Sequence, residues 1–297
     1  MWLFRKGIDI SRASARLSLD ADLSPVSRML RNGGRRFYGL SGAELPGLID
    51  AGLGSVLALG SEIWGVAVMS WPVETTAWLR GLALAEGVEP QVGVNALLAV
   101  LHQSLAARGV ANVFYAGDEG AESWLDPALK AGGYIANTEV IVYEKRDLLV
   151  PDQGNRAVLV RTAVPPDLAA VLEVDRRCFE AQWTKDDTIL GTAVVQGPLF
   201  LVAELEGRIV GYIYATTHFS GHLVHLVRIA VDPQLQGRGL GVRLLAAVIA
   251  FARGVGADVI TLNTQSYNVH AQRLYRWFGF QPTGERQHVL RYNVGGE

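Results

Sequence analysis

The chain has 297 residues, 49% of them hydrophobic and 19% charged. That length suits two domains, and that balance excludes a disordered chain, which needs low hydrophobicity and high charge. The net charge of −2, from 27 basic and 29 acidic residues, leaves no basic surplus for a phosphate backbone, so nucleic acid is not an expected partner.

In chain order, Trp78–Leu84 reads as a strand, Ala96–Arg108 as a helix and Val110–Tyr115 as a strand. Thr138–Glu144 reads as a closing strand after Gly133-Tyr134. Leu149–Asn155 (LVPDQGN) carries Pro, Gly and polar residues and predicts a linker. It separates an expected domain at 1–148 from one at 156–297. The second half opens with a strand at Ala157–Arg161 and a helix from about Pro166 to Phe179, with Leu168, Val171, Leu172 and Val174 as its apolar stripe. Leu199–Glu204, Arg208–Thr217 and Leu223–Val231 read as three strands, the first two joined by a Glu206-Gly207 turn. A Gly-rich turn leads into a helix at Leu240–Gly254, with Leu244, Val248 and Phe251 on one side. A strand at Asp258–Asn263, a helix at Val269–Phe278 and a strand at Gln287–Tyr292 complete the chain. This order predicts the α/β class in its α+β form, a mixed sheet with helices on its faces.

The halves repeat. Ala96–Arg108 aligns with Arg243–Val255 at an offset of 147, and Val110–Tyr115 follows with Ala257–Leu262 at the same offset. Gly133-Tyr134 lines up with Gly279-Phe280, and Trp78–Leu84 resembles Leu226–Val231 with a small length difference. An ordered match of this kind predicts a duplicated fold.

Chemistry concentrates between Val231 and Gly241 (VDPQLQGRGLG), where a strand runs into a helix. A helix start exposes unpaired N–H groups and the positive end of its dipole. Gly237, Gly239 and Gly241 let a phosphate approach those groups closely, and Arg238 adds charge. A P-loop is excluded because no Lys follows. A dinucleotide fingerprint is excluded because Asp232–Gln236 separate the glycines from the strand.

Gln236-x-x-Gly239-x-Gly241 after Val231-Asp232-Pro233 resembles motif A of the GNAT acetyltransferases. Asn268-x-x-Ala271-x-x-Leu274-Tyr275-x-x-x-Gly279-Phe280 resembles their motif B. The resemblance covers about residues 157–294 and, more faintly, the first half. It implies two GNAT-like domains, each a mixed, mostly antiparallel sheet flanked by helices. It also implies acetyl-CoA as co-substrate, with its pyrophosphate on Gln236, Gly237, Arg238, Gly239, Leu240 and Gly241. The pantetheine arm would lie on Ile229, Ala230 and Val231, where the strand splays from its neighbour, and near Asn268. Tyr275 would protonate the departing thiolate.

The base that takes the amine proton has more than one candidate. Asp167–Trp183 resembles the opening of GNAT enzymes that acetylate N-terminal alanines of ribosomal proteins. Those carry a Glu base five residues before the motif B Asn, where this chain has Asn263. An amide cannot take the proton, which leaves His225 as the candidate catalytic residue and Glu180 behind it. Glu173, Asp175, Glu180, Asp186 and Asp187 stand where the family forms its acceptor groove, and they read as a solvated face or as an attractor for a cationic amine.

In the first half Val92 and Val94 replace Gly239 and Gly241, Leu129 replaces Tyr275, and Pro90 removes an N–H from the loop. The expected result is a degenerate, non-catalytic copy at 1–148 beside a catalytic one at 156–297. The expected function is acetyl transfer from acetyl-CoA to a primary amine, on a small molecule or a peptide N-terminus. The alternative is a non-catalytic acyl-CoA sensor or interaction module. Cys178, the single cysteine, excludes an intrachain disulfide or cysteine-rich metal site; it is expected to be a small buried group, and no metal is expected. The apolar run Leu244–Ala252 falls far short of the roughly 20 residues a membrane span needs, so a cytoplasmic protein with no membrane partner is expected.

Overall fold

The computed structural model describes residues 12–118 and 123–295. Two compact units form. The described residues within Met1–Thr138 and Gln287–Glu297 make unit 1, and Glu139–Arg286 make unit 2.

Unit 1 runs through β1 (Ser14–Leu17), α1 (Leu23–Asn32), β2 (Arg35–Tyr38), α2 (Leu45–Asp50), β3 (Gly54–Leu59), β4 (Glu62–Met69), β5 (Thr76–Leu84), α3 (Pro90–Ala106), β6 (Asn112–Asp118) and α4 (Leu125–Ala131). Its sheet order is β1-β3-β4-β5-β6, closed by residues 287–293 on β6. All pairs are antiparallel except β5 with β6. β7 (Ile135–Lys145) carries the chain into unit 2, which continues with β8 (Leu159–Thr162), α5 (Leu168–Cys178), α6 (Asp187–Gln196), β9 (Leu199–Leu205), β10 (Arg208–His218), β11 (Leu223–Val231), α7 (Leu240–Gly254), β12 (Val259–Gln265), α8 (Val269–Trp277) and the start of β13 (Gln281–Asn293). Its sheet order is β7-β12-β11-β10-β9-β8, antiparallel except for β11 with β12. Each unit is therefore a mixed, mostly antiparallel sheet flanked by helices.

The units do not follow the division expected at 149–155. Val140–Lys145 pair with β12 inside unit 2, and Gln287–Asn293 pair with β6 inside unit 1. Each sheet takes its closing strand from the other half of the sequence, because a strand belongs to the ladder that satisfies its N–H and C=O groups.

Alternating strand residues build two cores in unit 2, one on each face of the sheet. Ile213, Ala203 and Leu226 pack with Leu244, Val248 and Phe278 of α7 and the α8 end. Tyr212, Val202 and Ala230 pack with Val171, Val174 and Leu190 of α5 and α6. In unit 1 one core gathers Val66, Leu82, Leu97 and Leu129. Among the described residues no helix is long and apolar enough to cross a membrane.

The repeat extends to details that composition cannot show. β5 and β11 have identical lengths at an offset of 147, as do β6 and β12. β5 bulges at Arg80 and β11 at Val227, the same offset again. Arg16 grips Asp22 at 2.6 and 2.9 Å, and Arg161 grips Asp167 at 2.7 and 3.0 Å. Each Asp also accepts from a backbone N–H three residues earlier, Leu19 at 2.8 Å and Val164 at 2.9 Å.

Candidate active site

The site is a cavity of about 530 Å³ in unit 2. It exists because two parallel strands part. β11 and β12 pair from Leu223/Val259 to Leu226/Leu262 and no further. Beyond that point Val227–Val231 and Asn263–Gln265 line opposite walls of the cavity. The extra residue of the bulge, Val227, stands where the strands separate, and bulges bend the strand that carries them. Residues Arg228–Val231 therefore bond to β10 on one edge and turn the other edge to the cavity.

At its far end β11 meets the glycine loop. The Asp232 carboxylate accepts from Gln234 N–H at 3.1 Å and pairs with Arg177 at 3.1 Å, which fixes the turn. The Gln236 side chain donates to the Val231 carbonyl at 3.3 Å. Gly237 and Gly239 take φ of 77° and 78°, a left-handed conformation that costs other residues about 1–2 kcal/mol. Gly239 is the N-cap of α7, and no side chain caps that helix start. Its first N–H groups remain available to an anion.

The linker residues Gly154 and Asn155 brace this loop, which sequence reasoning missed. Asn155 donates from its side chain to the Arg238 carbonyl at 3.1 Å and from its backbone to Gly239 at 3.2 Å. A Cβ at residue 154 would lie 2.5 Å from both Gly239 O and Arg243 N, so only glycine fits there. The Gly-Asn pair in a linker was the available signal.

Ile229, Ala230, Val231, Gln236, Gly237, Leu240, Gly241, Asn268 and Tyr275 all line the cavity. Arg238 and Gly239 belong to the same loop without lining it. Asn268 spends its carboxamide oxygen capping α8, accepting from Ala271 N–H at 3.1 Å. Tyr275, 4% exposed, sits two turns along α8, and burial pushes its hydroxyl pKa well up. It holds its proton at neutral pH, with the Phe280 and Tyr143 rings 6.0 and 6.3 Å away.

His225 does not reach this cavity. It shares the paired part of β11, with Nδ1 2.9 Å from Thr261 Oγ1, and burial, then the nearby His218, lowers its pKa. Glu180 does not line the cavity either; its charge instead adds to burial in raising the Tyr267 pKa. Two of the other acidic residues are committed elsewhere. Asp186 caps α6 through Ile189 N–H at 2.8 Å, and Asp175 is fully buried against Arg228. Cys178 is half-buried and lines the cavity instead of vanishing into the core. Its thiol donates to the Val231 carbonyl at 3.2 Å, and burial with the Asp175 and Asp232 charges pushes its pKa to about 11.

Residues 168–280 match the model of the acetyltransferase (GNAT) family. Those residues form a GNAT-family acetyltransferase domain. An uncharacterized N-acetyltransferase of Methanocaldococcus jannaschii is 29% identical over 141 residues, 47% of this chain and 86% of that protein. The N-acetylaspartate synthetase of Rattus norvegicus is 34% identical over 94 residues, 32% of this chain and 31% of that one. The chain thus spans about a third of the synthetase it matches. In solved structures, a tandem GNAT protein from the clavulanic acid biosynthesis pathway covers 96% of this chain and 99% of itself. Its TM-score of 0.62 at 14% identity establishes a shared fold.

The equivalent notch in unit 1 is filled by the chain itself. β5 pairs with β6 only from Thr76/Asn112 to Trp78/Phe114 and then parts from it. Gly81–Leu84, which answer to Arg228–Val231 at the offset of 147, pair instead with β2. The helix start is filled too. α3 begins at Pro90, three residues earlier in the repeat than α7, and the Glu89 carboxylate caps it by accepting from Gln91 N–H at 3.1 Å and Val92 N–H at 2.7 Å. Pro90 therefore sits at the first helical position, where its missing N–H costs nothing.

Proposed function

We propose that unit 2 transfers an acetyl group from acetyl-CoA to a primary amine and that unit 1 binds no coenzyme. The observation that carries this reading is the notch between β11 and β12, which ends on the uncapped start of α7. An extended thioester arm fits along the free edge of Ile229–Val231, and a pyrophosphate fits the N–H groups of Gln236–Gly241. Donors along that edge polarise a thioester carbonyl and favour the oxyanion that forms on attack.

In this scheme the neutral amine attacks the carbonyl directly. A C–N bond forms, the C–S bond breaks, and the thiolate takes the Tyr275 proton. The amine's own proton leaves by water: among the described residues no carboxylate lines the cavity, and the one histidine that does, His270, lies exposed at the start of α8. A covalent relay through Cys178 is disfavoured by its retained proton and its bond to Val231. No observation favours a non-catalytic sensor.

The test uses the full chain, because cutting at the linker would strip each sheet of its closing strand. Tyr275→Phe is expected to lower kcat about 100-fold while coenzyme A affinity stays within about twofold. Unchanged kcat removes Tyr275 from the scheme. Titration calorimetry is expected to find one coenzyme A per chain, and a second site would overturn the silence of unit 1.

A further inference from the structure

We propose that the acceptor is an amine with a carboxylate beside it, an α-amino acid or close relative, and that Arg228 receives that carboxylate. This deepens the acetyltransfer reading and rests on it.

Arg228 is the first residue of β11 past the bulge, and it lines the cavity. Its side chain is 8% exposed. Nε donates to Asp175 at 2.6 Å and to the Tyr212 hydroxyl at 2.9 Å, and Nη2 donates to Asp175 at 2.9 Å. The Phe179 ring lies 3.5 Å from the guanidinium carbon. Four contacts thus fix the plane of the group. Nη1 has no hydrogen-bond partner among the described residues. A fixed, partly desolvated guanidinium edge suits a carboxylate better than a solvated Lys would.

The surroundings agree with the sign. No Asp or Glu lines the cavity among the described residues, and the only cationic or ionisable basic groups that do are Arg228 and His270. A groove made to attract a bare cationic amine would show the opposite. Arg228 also stands at the right end. Val231 lies about 10 Å further along β11, and the glycine loop lies beyond that, so the phosphate cradle and Arg228 serve different ends of the cavity.

The other copy shows what the fold does without a ligand here. At the offset of 147 Arg228 becomes Gly81, and at the α1/α5 offset of 145 Asp175 becomes Leu30. A Cβ on Gly81 would lie 2.9 Å from Leu40 Cδ2 and 3.1 Å from Leu30 Cδ2, so apolar side chains pack where unit 2 has the ion pair. A buried ion pair is weak in stabilising terms against such a contact. Its presence only in the copy with an open notch points to a ligand.

The experiment follows coenzyme A release by the full chain from acetyl-CoA with the free amino acids, their carboxamides and the matching decarboxylated amines. The best free amino acid is expected to exceed its amide and amine in kcat/KM by at least about tenfold. Arg228→Lys is expected to raise KM for that acid about tenfold or more, with little change in kcat and none in KM for the amide. Equal or better turnover of amides or decarboxylated amines overturns the proposal and leaves acetyl transfer standing. One coenzyme A bound per chain with no free amino acid accepted also overturns it. Failure to bind coenzyme A at all refutes the acetyltransfer reading itself. The comparison of acid with amide needs no variant, so it holds even if Arg228→Lys folds poorly.

Discussion

Asp175→Ala isolates the arrangement on which the acceptor end depends. Asp175 is 0% exposed and its partner Arg228 is 8% exposed, so neither charge is screened by bulk water. Removing one member of a buried pair leaves the other uncompensated and costs about 3–5 kcal/mol. The Asp175 carboxylate also accepts from Lys185 N–H at 2.9 Å and from the Tyr212 hydroxyl, so those donors lose a partner as well. The Phe179 ring returns part of the loss through its contact with the cation. The expected cost is therefore about 4 kcal/mol. Replacing both partners, Asp175→Leu with Arg228→Met, is expected to recover all but about 1 kcal/mol, because an apolar pair of similar size avoids the desolvation. In unit 1 Leu30 and Gly81 occupy these two positions, with apolar side chains packed where unit 2 has the ion pair. Native-state hydrogen exchange of peptides from β10 and β11 reads unit 2 without interference from unit 1. Additive single and double variants, or a loss under about 1 kcal/mol for Asp175→Ala, would refute the reasoning.

Two other perturbations give independent checks. In unit 1 burial lowers His102 from 6.5 to about 4, and its Nε2 lies 3.0 Å from the Tyr134 hydroxyl. As pH falls below 6.5 the unfolded chain binds a proton that the folded chain refuses. Unit 1 should therefore lose up to about 3 kcal/mol between that pH and about 4. Hydrogen exchange of α3 peptides measures the slope, which His102→Gln should flatten. In the glycine loop, Gly237→Ala meets no atom within 4 Å, whereas Gly239→Ala places a Cβ 3.1 Å from Asn155 N. Both incur left-handed strain of about 1–2 kcal/mol, so Gly239→Ala should be the less stable of the two. Coenzyme A titration should show weaker binding for both, and unchanged affinity would remove the loop from the phosphate site.

Elements written in local pattern were legible from the sequence. β11 and α7 have the bounds that periodicity assigns them, and the glycines at 237 and 239 do adopt positive φ. What stayed hidden depends on partners distant in sequence. β2 is four residues long, Arg35–Tyr38, with too little alternation to announce a strand, and its meaning lies in its pairing with β5. α6 presents no single apolar face to announce it, with Leu190 buried but Ile189 and Val195 exposed. Arg228 and Asp175 are 53 residues apart, and a buried ion pair leaves no local trace. The exchange of closing strands is equally silent, since β7 and β13 would read alike whichever sheet they joined. One long-range signal was present, however: Arg16 and Asp22 recur as Arg161 and Asp167 with the same spacing.

The silence proposed for unit 1 fits the rule that buried backbone groups must be paired. A cofactor notch exposes one edge of a strand and the first N–H groups of a helix, and a bound coenzyme satisfies both. A copy that gives up the coenzyme must satisfy them otherwise. With Val92 and Val94 where unit 2 has Gly239 and Gly241, α3 winds through the positions that the glycine loop holds in unit 2, since neither valine needs the left-handed conformation of Gly239. That winding brings the helix start to Glu89, whose carboxylate takes two of the freed N–H groups, while β2 takes the edge of Gly81–Leu84. The loss proposed for unit 1 would thus be a substitution of partners. It also explains why point changes back to glycine at 92 and 94 should not restore coenzyme binding: Glu89 and β2 would still hold the groups the coenzyme needs.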